Sequence, residues 1–170
     1  KIKNLYIIPS TLDLAAAEPQ LIGQIGFERK LKQLLQQLTN FDFAIIDSPP
    51  SLGVLTINAI VAADLIIVPL QCEFLSMKAL GHLTKIIDKA KIVNPNLLMK
   101  ILFTMFDKRS IHSKEIVEET KKFFDTFDTI ITKTIKFSYA TVEGIPLVKF
   151  YHSEQAEQYK NLAKEVLKLL

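Results

Sequence analysis

The chain has 170 residues, of which 49% are apolar and 23% are charged, and its formal net charge is +3. This composition excludes a disordered or low-complexity protein, and the length predicts a single α/β domain over residues 1–170. The only cysteine, Cys72, excludes an intrachain disulfide. No apolar run reaches the roughly 18 residues of a membrane span, so we expect a soluble cytoplasmic protein.

Apolar segments alternate with segments of helical periodicity along the chain. The strands are predicted at residues 5–9, 43–47, 65–70, 101–106 and 129–132. The helices are predicted at residues 27–38, 51–63, 77–92, from the candidate N-cap Ser113 onward, and 153–170. This alternation predicts the α/β fold class, with a doubly wound, mostly parallel sheet and helices on both faces. A strand-like run begins almost at the first residue, and we expect preceding sequence to be missing.

The acidic residue Asp47 ends the second apolar run and is followed by Ser48 and two prolines. Because proline cannot donate a ladder hydrogen bond, the chain should leave the sheet with Asp47 at the carboxyl end of its strand. Ligands bind at that edge in open α/β sheets. P-loop NTPases hold Mg²⁺ with a carboxylate in this position. The alternative is an aspartate that only caps the following helix.

Several segments together resemble the ParA/Soj branch of the deviant-Walker ATPases. They are residues 41–53, 56–59, 63–73, 104–109, 144–146 and, in the last helix, 159 and 162–166. The resemblance implies a P-loop NTPase-like fold and an ATP- and Mg²⁺-dependent ATPase that partitions plasmids or chromosomes. It also implies an ATP-bound homodimer, binding to non-specific DNA on the nucleoid, and stimulation by a ParB-like partner.

The same resemblance assigns roles to particular residues. Asp47 would be the catalytic acid that acts on Mg²⁺ and its water. The switch that senses the γ-phosphate would consist of Ser48, Pro49, Pro50 and Gly53. The loop on the adenine side would place Thr132 and Thr134 at the nucleotide, where the family usually has proline and asparagine. The DNA-binding lysines would be Lys121, Lys122 and Lys136, for which a solvated surface is the alternative.

One element of the family is absent from the sequence: no G-x-x-x-x-G-K-[ST] motif occurs in the 170 residues. Without the backbone amides and lysine of that loop, the electrostatic stabilisation of phosphoryl transfer is lost. We therefore expect the chain alone to be inactive and ATP hydrolysis to belong to the complete protein.

Two other functions remain open on the sequence. One is a non-catalytic remnant or interaction module that binds a partner or DNA. The other is a MinD-like positioning ATPase, in which a terminal basic amphipathic helix lies on lipid. The last helix has Glu154, Glu157 and Glu165 among its lysines, so we expect no membrane binding.

Overall fold

The structure is a computed structural model that describes residues 2–11, 13–49, 51–72, 74–150 and 152–170. Contacts divide the chain into two compact units, Lys1–Ala63 and Asp64–Leu170. The single domain expected from the length stays a prediction.

Unit one contains short helices around one buried helix. They are α1 (Asp13–Ala16), α2 (Glu18–Ile22), a 3₁₀ turn (Phe27–Arg29), α3 (Lys30–Leu35) and α4 (Val54–Ala62). Most of α4 is buried, which fits its nearly continuous apolar sequence. The predicted helices at 27–38 and 51–63 are thus present, the first divided into a 3₁₀ turn and a short α-helix.

The strands predicted at residues 5–9 and 43–47 are wrong for this structure. Both segments are apolar runs of the kind that strands have, yet neither forms a strand within the described residues. The side chain of Ile8 is 85% exposed and that of Ile45 is 96% exposed. A parallel strand exists only through hydrogen bonds to its neighbours, and the described residues offer these segments none.

Unit two is built on two parallel strands. Its elements are β1 (Leu65–Gln71), α5 (Phe74–Val93), β2 (Leu98–Thr104), α6 (Ile111–Lys121), α7 (Lys136–Glu143), α8 (Leu147–Phe150) and α9 (Glu154–Leu169). In the β1–β2 pair, Leu65 lies opposite Leu98 and Gln71 opposite Thr104. The helix α5 connects the two strands, as a parallel crossover requires.

Alternate residues of β2 enter two different cores. Ile101 and Phe103 pack with Leu80 of α5 and Val117 of α6. Leu102 packs with Leu162 of α9 and with two residues that follow α6, Phe127 and Ile131. Successive strand side chains point to opposite faces, so helices cover both faces of the parallel pair. The predicted α/β class with helices on both faces is confirmed.

The predicted strand at 129–132 lies beside β2 but forms only isolated bridges, Ile101 with Thr126 and Phe106 with Thr132. Ser110, not Ser113, is the N-cap of α6, because the Ser110 hydroxyl accepts a 3.2 Å hydrogen bond from the backbone N–H of Ser113. The predicted start of the last helix is confirmed: Ser153 caps α9 and accepts from the N–H of Ala156.

Candidate functional site

In unit one, Asp47 lies in an irregular segment with an exposed side chain that forms no ion pair with the described residues. Ser48 and Pro49 are exposed as well, and Pro50 lies outside the described residues. The hydroxyl of Thr56, on α4, donates to the carbonyl of Ser51 at 2.5 Å. The buried helix therefore holds the backbone at Ser51, four residues after the exposed carboxylate of Asp47.

Gly53 is the N-cap of α4 and lies against the side chain of Glu18. A Cβ atom at Gly53 would lie 3.1 Å from both carboxylate oxygens of Glu18, closer than most real Cβ contacts. The carboxylate of Glu18 thus lies beside the positive end of the α4 dipole. Any larger residue at position 53 would displace this carboxylate.

A single accessible carboxylate such as that of Asp47 fits one way of binding Mg²⁺. Magnesium bound with nucleotides takes one or two protein carboxylates and completes its shell with phosphate oxygens and water. A dedicated protein cage would need more ligands, and among the described residues no group of three or more His, Cys, Asp or Glu side chains is arranged to hold a metal.

In unit two, a pocket of about 350 Å³ lies beyond the carboxyl end of β2. It is lined by Phe106, Asp107, Lys108, Arg109, Thr132, Lys133, Glu154 and Gln155. The residue just before this loop, Met105, has a φ of 52°. Left-handed backbone costs a non-glycine residue about 1–2 kcal/mol and is concentrated at functional sites. Below, this cavity is called the Thr132 pocket.

Three cations and two carboxylates line the Thr132 pocket. Lys108 pairs with Glu154 at 2.5 Å, and Arg109 pairs with Asp107. Hydrogen bonds from the backbone and side chain of Arg109 hold the pKa of the Asp107 carboxyl below its ordinary value. Lys133 forms no ion pair with the described residues. The pocket therefore has one cation in excess and suits an anionic ligand.

The two predicted nucleotide contacts lie in different surroundings. Thr132 is buried and lines the pocket. Its hydroxyl accepts a 2.7 Å hydrogen bond from the amide of Gln155 and donates to that of Gln158 at 3.3 Å. Thr134 is outside the pocket lining, and its hydroxyl accepts from the backbone N–H of Lys136. The role of both threonines in binding nucleotide stays a prediction.

Three polar side chains of α9, Gln155, Gln158 and Glu165, hold the segment that leads to Thr132. Their contacts do not follow from the sequence, because hydrogen bonds between residues so distant in the chain leave no periodic signal. The one sequence feature that points to these contacts is the presence of polar residues beside the apolar stripe of α9.

Two of the three predicted DNA-binding lysines lie at the same cavity. Lys121 and Lys122, at the end of α6, line a second cavity of about 630 Å³ together with Lys91 and Lys100, and we call this cavity the basic groove. Lys136 begins α7 and is not among the residues of the groove.

An aromatic ring and two acids also line the basic groove. Phe123 is 73% exposed there, and Asp88 and Asp125 reduce the positive charge. Lys122 pairs with Glu119, whereas Lys91 and Lys121 form no ion pair with the described residues. Lysines at the ends of α5 and α6 also complement the negative ends of the helix dipoles.

No helix in the described part of the chain is both long and apolar enough to cross a bilayer.

Comparison with known proteins gives consistent matches over nearly the whole chain. A family model described as an AAA domain matches residues 1–101. The chain is 39% identical to the sporulation initiation inhibitor protein Soj of Bacillus subtilis, covering 97% of this chain and 68% of Soj. It is 38% identical to the chromosome partitioning protein ParA of Myxococcus xanthus, covering 99% of this chain and 62% of that protein. An uncharacterised protein of Mycobacterium tuberculosis is 38% identical, and the chain spans 54% of its length.

Solved structures extend the comparison to three dimensions. Cobyrinic acid a,c-diamide synthase from Mycobacterium smegmatis, with a bound ATP analogue and magnesium, matches with a TM-score of 0.79 and 34% identity. The match covers 94% of this chain and 61% of that one. Apo McdA of Cyanothece matches with a TM-score of 0.82 at 21% identity, over 94% of this chain and 67% of McdA. The second likeness concerns the fold alone.

Proposed function

This chain belongs to the ParA/Soj family of partition ATPases, and from that premise we propose that it forms part of an ATP- and Mg²⁺-dependent ATPase that partitions a plasmid or chromosome. The observation that carries the proposal is the 39% identity to Bacillus subtilis Soj over 97% of this chain. The chain spans between about half and two thirds of its relatives' length, so activity, cofactors and partners are proposed for a protein that contains it.

In this function Asp47 is the acid that orients Mg²⁺ and its water. Bound Mg²⁺ would neutralise the charge that develops on the phosphates during transfer. The support from this chain is that the Asp47 carboxylate is exposed and forms no ion pair with the described residues, and that Thr56 holds the nearby backbone at Ser51. Ser48, Pro49, Pro50 and Gly53 would form the switch segment that responds to the γ-phosphate.

Substitution of Asp47 tests this role in a protein that joins the chain to a phosphate-binding loop. Asp47→Ala should keep the circular-dichroism spectrum and lower Mg²⁺-dependent ATP hydrolysis by at least about 100-fold, the usual loss on removing one electrostatic contact to the transition state. Asp42→Ala is the matched control, because Asp42 is also exposed in the same unit. Retained turnover in the Asp47 variant would refute the assigned role.

The Thr132 pocket is the proposed contact for the base side of the nucleotide. Its position beyond the carboxyl end of β2 and the presence of Thr132 in its lining support this assignment. The 170 residues contain no phosphate-binding loop motif, so the isolated chain should bind Mg²⁺-ATP weakly and should not hydrolyse it. Clear hydrolysis by this chain alone would contradict the argument.

Partners and location follow as further parts of the proposal. Non-specific DNA would bind at Lys121 and Lys122, supported by the basic groove, and at Lys136. ATP would bring two subunits together as a homodimer, and a ParB-like protein would stimulate hydrolysis. Such a protein would lie in the cytoplasm on the nucleoid.

A non-catalytic interaction module is the second candidate. The observation that favours it is the engaged hydroxyl of Thr132, which already donates to Gln158 and accepts from Gln155. ATP hydrolysis after a phosphate-binding loop is added distinguishes the two functions. If a phosphate-binding loop joined to this chain restores no hydrolysis while DNA or partner binding persists, the module is the correct function.

A further inference from the structure

The segment 126–133 has two partners, one on each side. On one side it follows β2: the N–H groups of Phe127, Ile131 and Lys133 donate to the carbonyls of residues 101, 103 and 106. These bonds continue the parallel pattern of β1 and β2 without forming a regular strand. They leave the remaining N–H groups of the segment to find acceptors elsewhere.

On the other side, side chains of α9 supply acceptors for residues 128, 129 and 132. The carboxylate of Glu165 accepts from the N–H groups of Asp128 and Thr129, both at 2.9 Å, and from the Thr129 hydroxyl at 2.5 Å. Gln158 accepts from the N–H of Thr132 at 3.0 Å. The side chains of α9 therefore accept the hydrogen bonds that a neighbouring strand would otherwise accept.

The hydrogen bonds extend from this segment to the charged rim of the Thr132 pocket. The amide of Gln158 donates to Glu154 at 3.0 Å, and Glu154 pairs with Lys108. Gln155, next to Glu154, donates to the Thr132 hydroxyl. The lining of the pocket is thus connected to α9 through three residues of that helix.

We propose that Glu165 and Gln158 are positioning residues of the Thr132 pocket, so that the docking of α9 and the binding of a nucleotide in the pocket are energetically coupled. The proposal rests on the proposed function for the identity of the ligand. Neither residue lines the pocket itself; each acts through the backbone of residues 128–132. A ligand that needs the native position of Thr132 and Lys133 must therefore bind less well when α9 loosens.

The test uses the protein that joins this chain to a phosphate-binding loop, with Mg²⁺-ATP as the probe, because the chain alone should bind it weakly. Amide hydrogen exchange is measured without and with the probe, and the affinity is taken from a titration. Glu165→Gln keeps the size of the side chain but removes its charge, and Gln158→Ala removes the acceptor for Thr132. Glu157→Gln is the matched control, because it makes the same change on the same helix at a residue that pairs only with Lys160 among the interactions described.

The expected result has two parts. Without ATP, exchange should accelerate at the amide of residue 128 or 129 in Glu165→Gln, because glutamine replaces one of the two acceptor oxygens with a donor NH₂ group. It should accelerate at residue 132 in Gln158→Ala. The affinity for Mg²⁺-ATP should fall about fivefold in both variants, the range expected for the loss of one net hydrogen bond. The Glu157 variant should change neither quantity.

Two results would overturn the proposal for different reasons. Faster exchange with an unchanged affinity would mean that α9 only stabilises the fold, and the coupling would be refuted. If the unsubstituted protein, joined to the phosphate-binding loop, binds ATP but shows no ATP-dependent change in exchange at residues 106–109 and 132–133, the nucleotide assignment of the pocket fails, and the coupling fails with it. The ATP-dependent change in exchange separates the two cases, because the unsubstituted protein shows it in the first case and lacks it in the second.

Discussion

The side-chain oxygen of Asn58 accepts a 3.1 Å hydrogen bond from the backbone N–H of Leu31. This bond joins α4 to the start of α3 within unit one, and the Asn58 amide also donates to the carbonyl of Val54 at 3.1 Å. With 4% of its surface exposed, Asn58 is among the most buried polar residues described in the unit. A buried amide with both ends bonded fixes how two helices meet.

Replacing Asn58 should therefore destabilise the protein. Asn58→Ala leaves the Leu31 N–H without this acceptor and should lower the free energy of unfolding by about 1–3 kcal/mol. Urea denaturation followed by circular dichroism measures the change. Asn161→Ala, at an exposed site on α9, is the control, and equal midpoints for the two variants would contradict the prediction.

The N-cap of α6 can be identified by comparing two serines. Ser110→Ala removes the acceptor of the Ser113 N–H and should cost about 1 kcal/mol. Ser113→Ala, inside the first turn, should cost less because Ser113 contributes its backbone and not its hydroxyl to the cap. Thermal denaturation of the two variants decides between them; a larger loss in the Ser113 variant would restore the cap predicted from the sequence.

The stability contributed by Glu165 should depend on pH. Partial burial raises the pKa of its carboxyl, but the hydrogen bonds from Thr129 and Asp128 and the charge of Lys100 outweigh this effect and leave the pKa below its ordinary value. Since the ordinary value is about 4.3, the contribution is fully present above that pH and is lost as the pH falls through the lower folded value.

The native chain and Glu165→Gln should accordingly differ most in unfolding free energy near neutral pH, and the difference should shrink in acid. Denaturant titrations at a series of pH values measure this. A difference that stays constant down to the acid limit of folding would show that the charge of Glu165 contributes nothing.

The thiol of Cys72 should react slowly. Cys72 is buried, and this burial raises its pKa to about 11. Thiolate is the reactive form, and an unfolded thiol has a pKa of about 8.5. Alkylation at about pH 8 should therefore be more than about 100-fold slower in the folded chain than in denaturant. Equal rates, measured by mass spectrometry, would contradict the burial of this side chain.

The basic groove predicts a specific pattern of DNA binding. Lys121→Ala should weaken binding to a duplex of arbitrary sequence and lower the salt slope by about 1 for one lost phosphate contact. Lys114→Ala is the control, because Lys114 is exposed on the same helix but does not line the groove. Fluorescence anisotropy over a range of salt concentrations measures both, and equal losses would place DNA elsewhere.

Local patterns in the sequence predict the helices well and the strands only where a neighbour is present. The helix after β1 and the last helix, with its cap at Ser153, follow from apolar periodicity and capping chemistry. The runs at residues 5–9 and 43–47 have the same apolar character as β1 but are exposed. An apolar run shows which residues favour burial, whereas the partner that buries them is non-local information.

The candidate site divides in the same way. The nucleotide contact of Thr132 is expected only from the family resemblance and stays a prediction, while the structure brings Thr132 and the loop after β2 together at one pocket. The roles of Gln155, Gln158 and Glu165 could not be predicted, because their contacts join residues more than twenty positions apart in sequence. The helix α7 was not predicted either; it ends at Gly144, whose φ of 64° suits glycine.

The contacts between α9 and residues 128–132 also bear on self-association. Unsatisfied N–H groups along an outer strand are a template on which a second molecule can add its own strand, the first step of amyloid-like growth. Here the carboxylate of Glu165 and the amide of Gln158 occupy those donors on the side away from β2. Intermolecular β-pairing on that side therefore requires the last helix to detach first, which makes its docking a safeguard against aggregation.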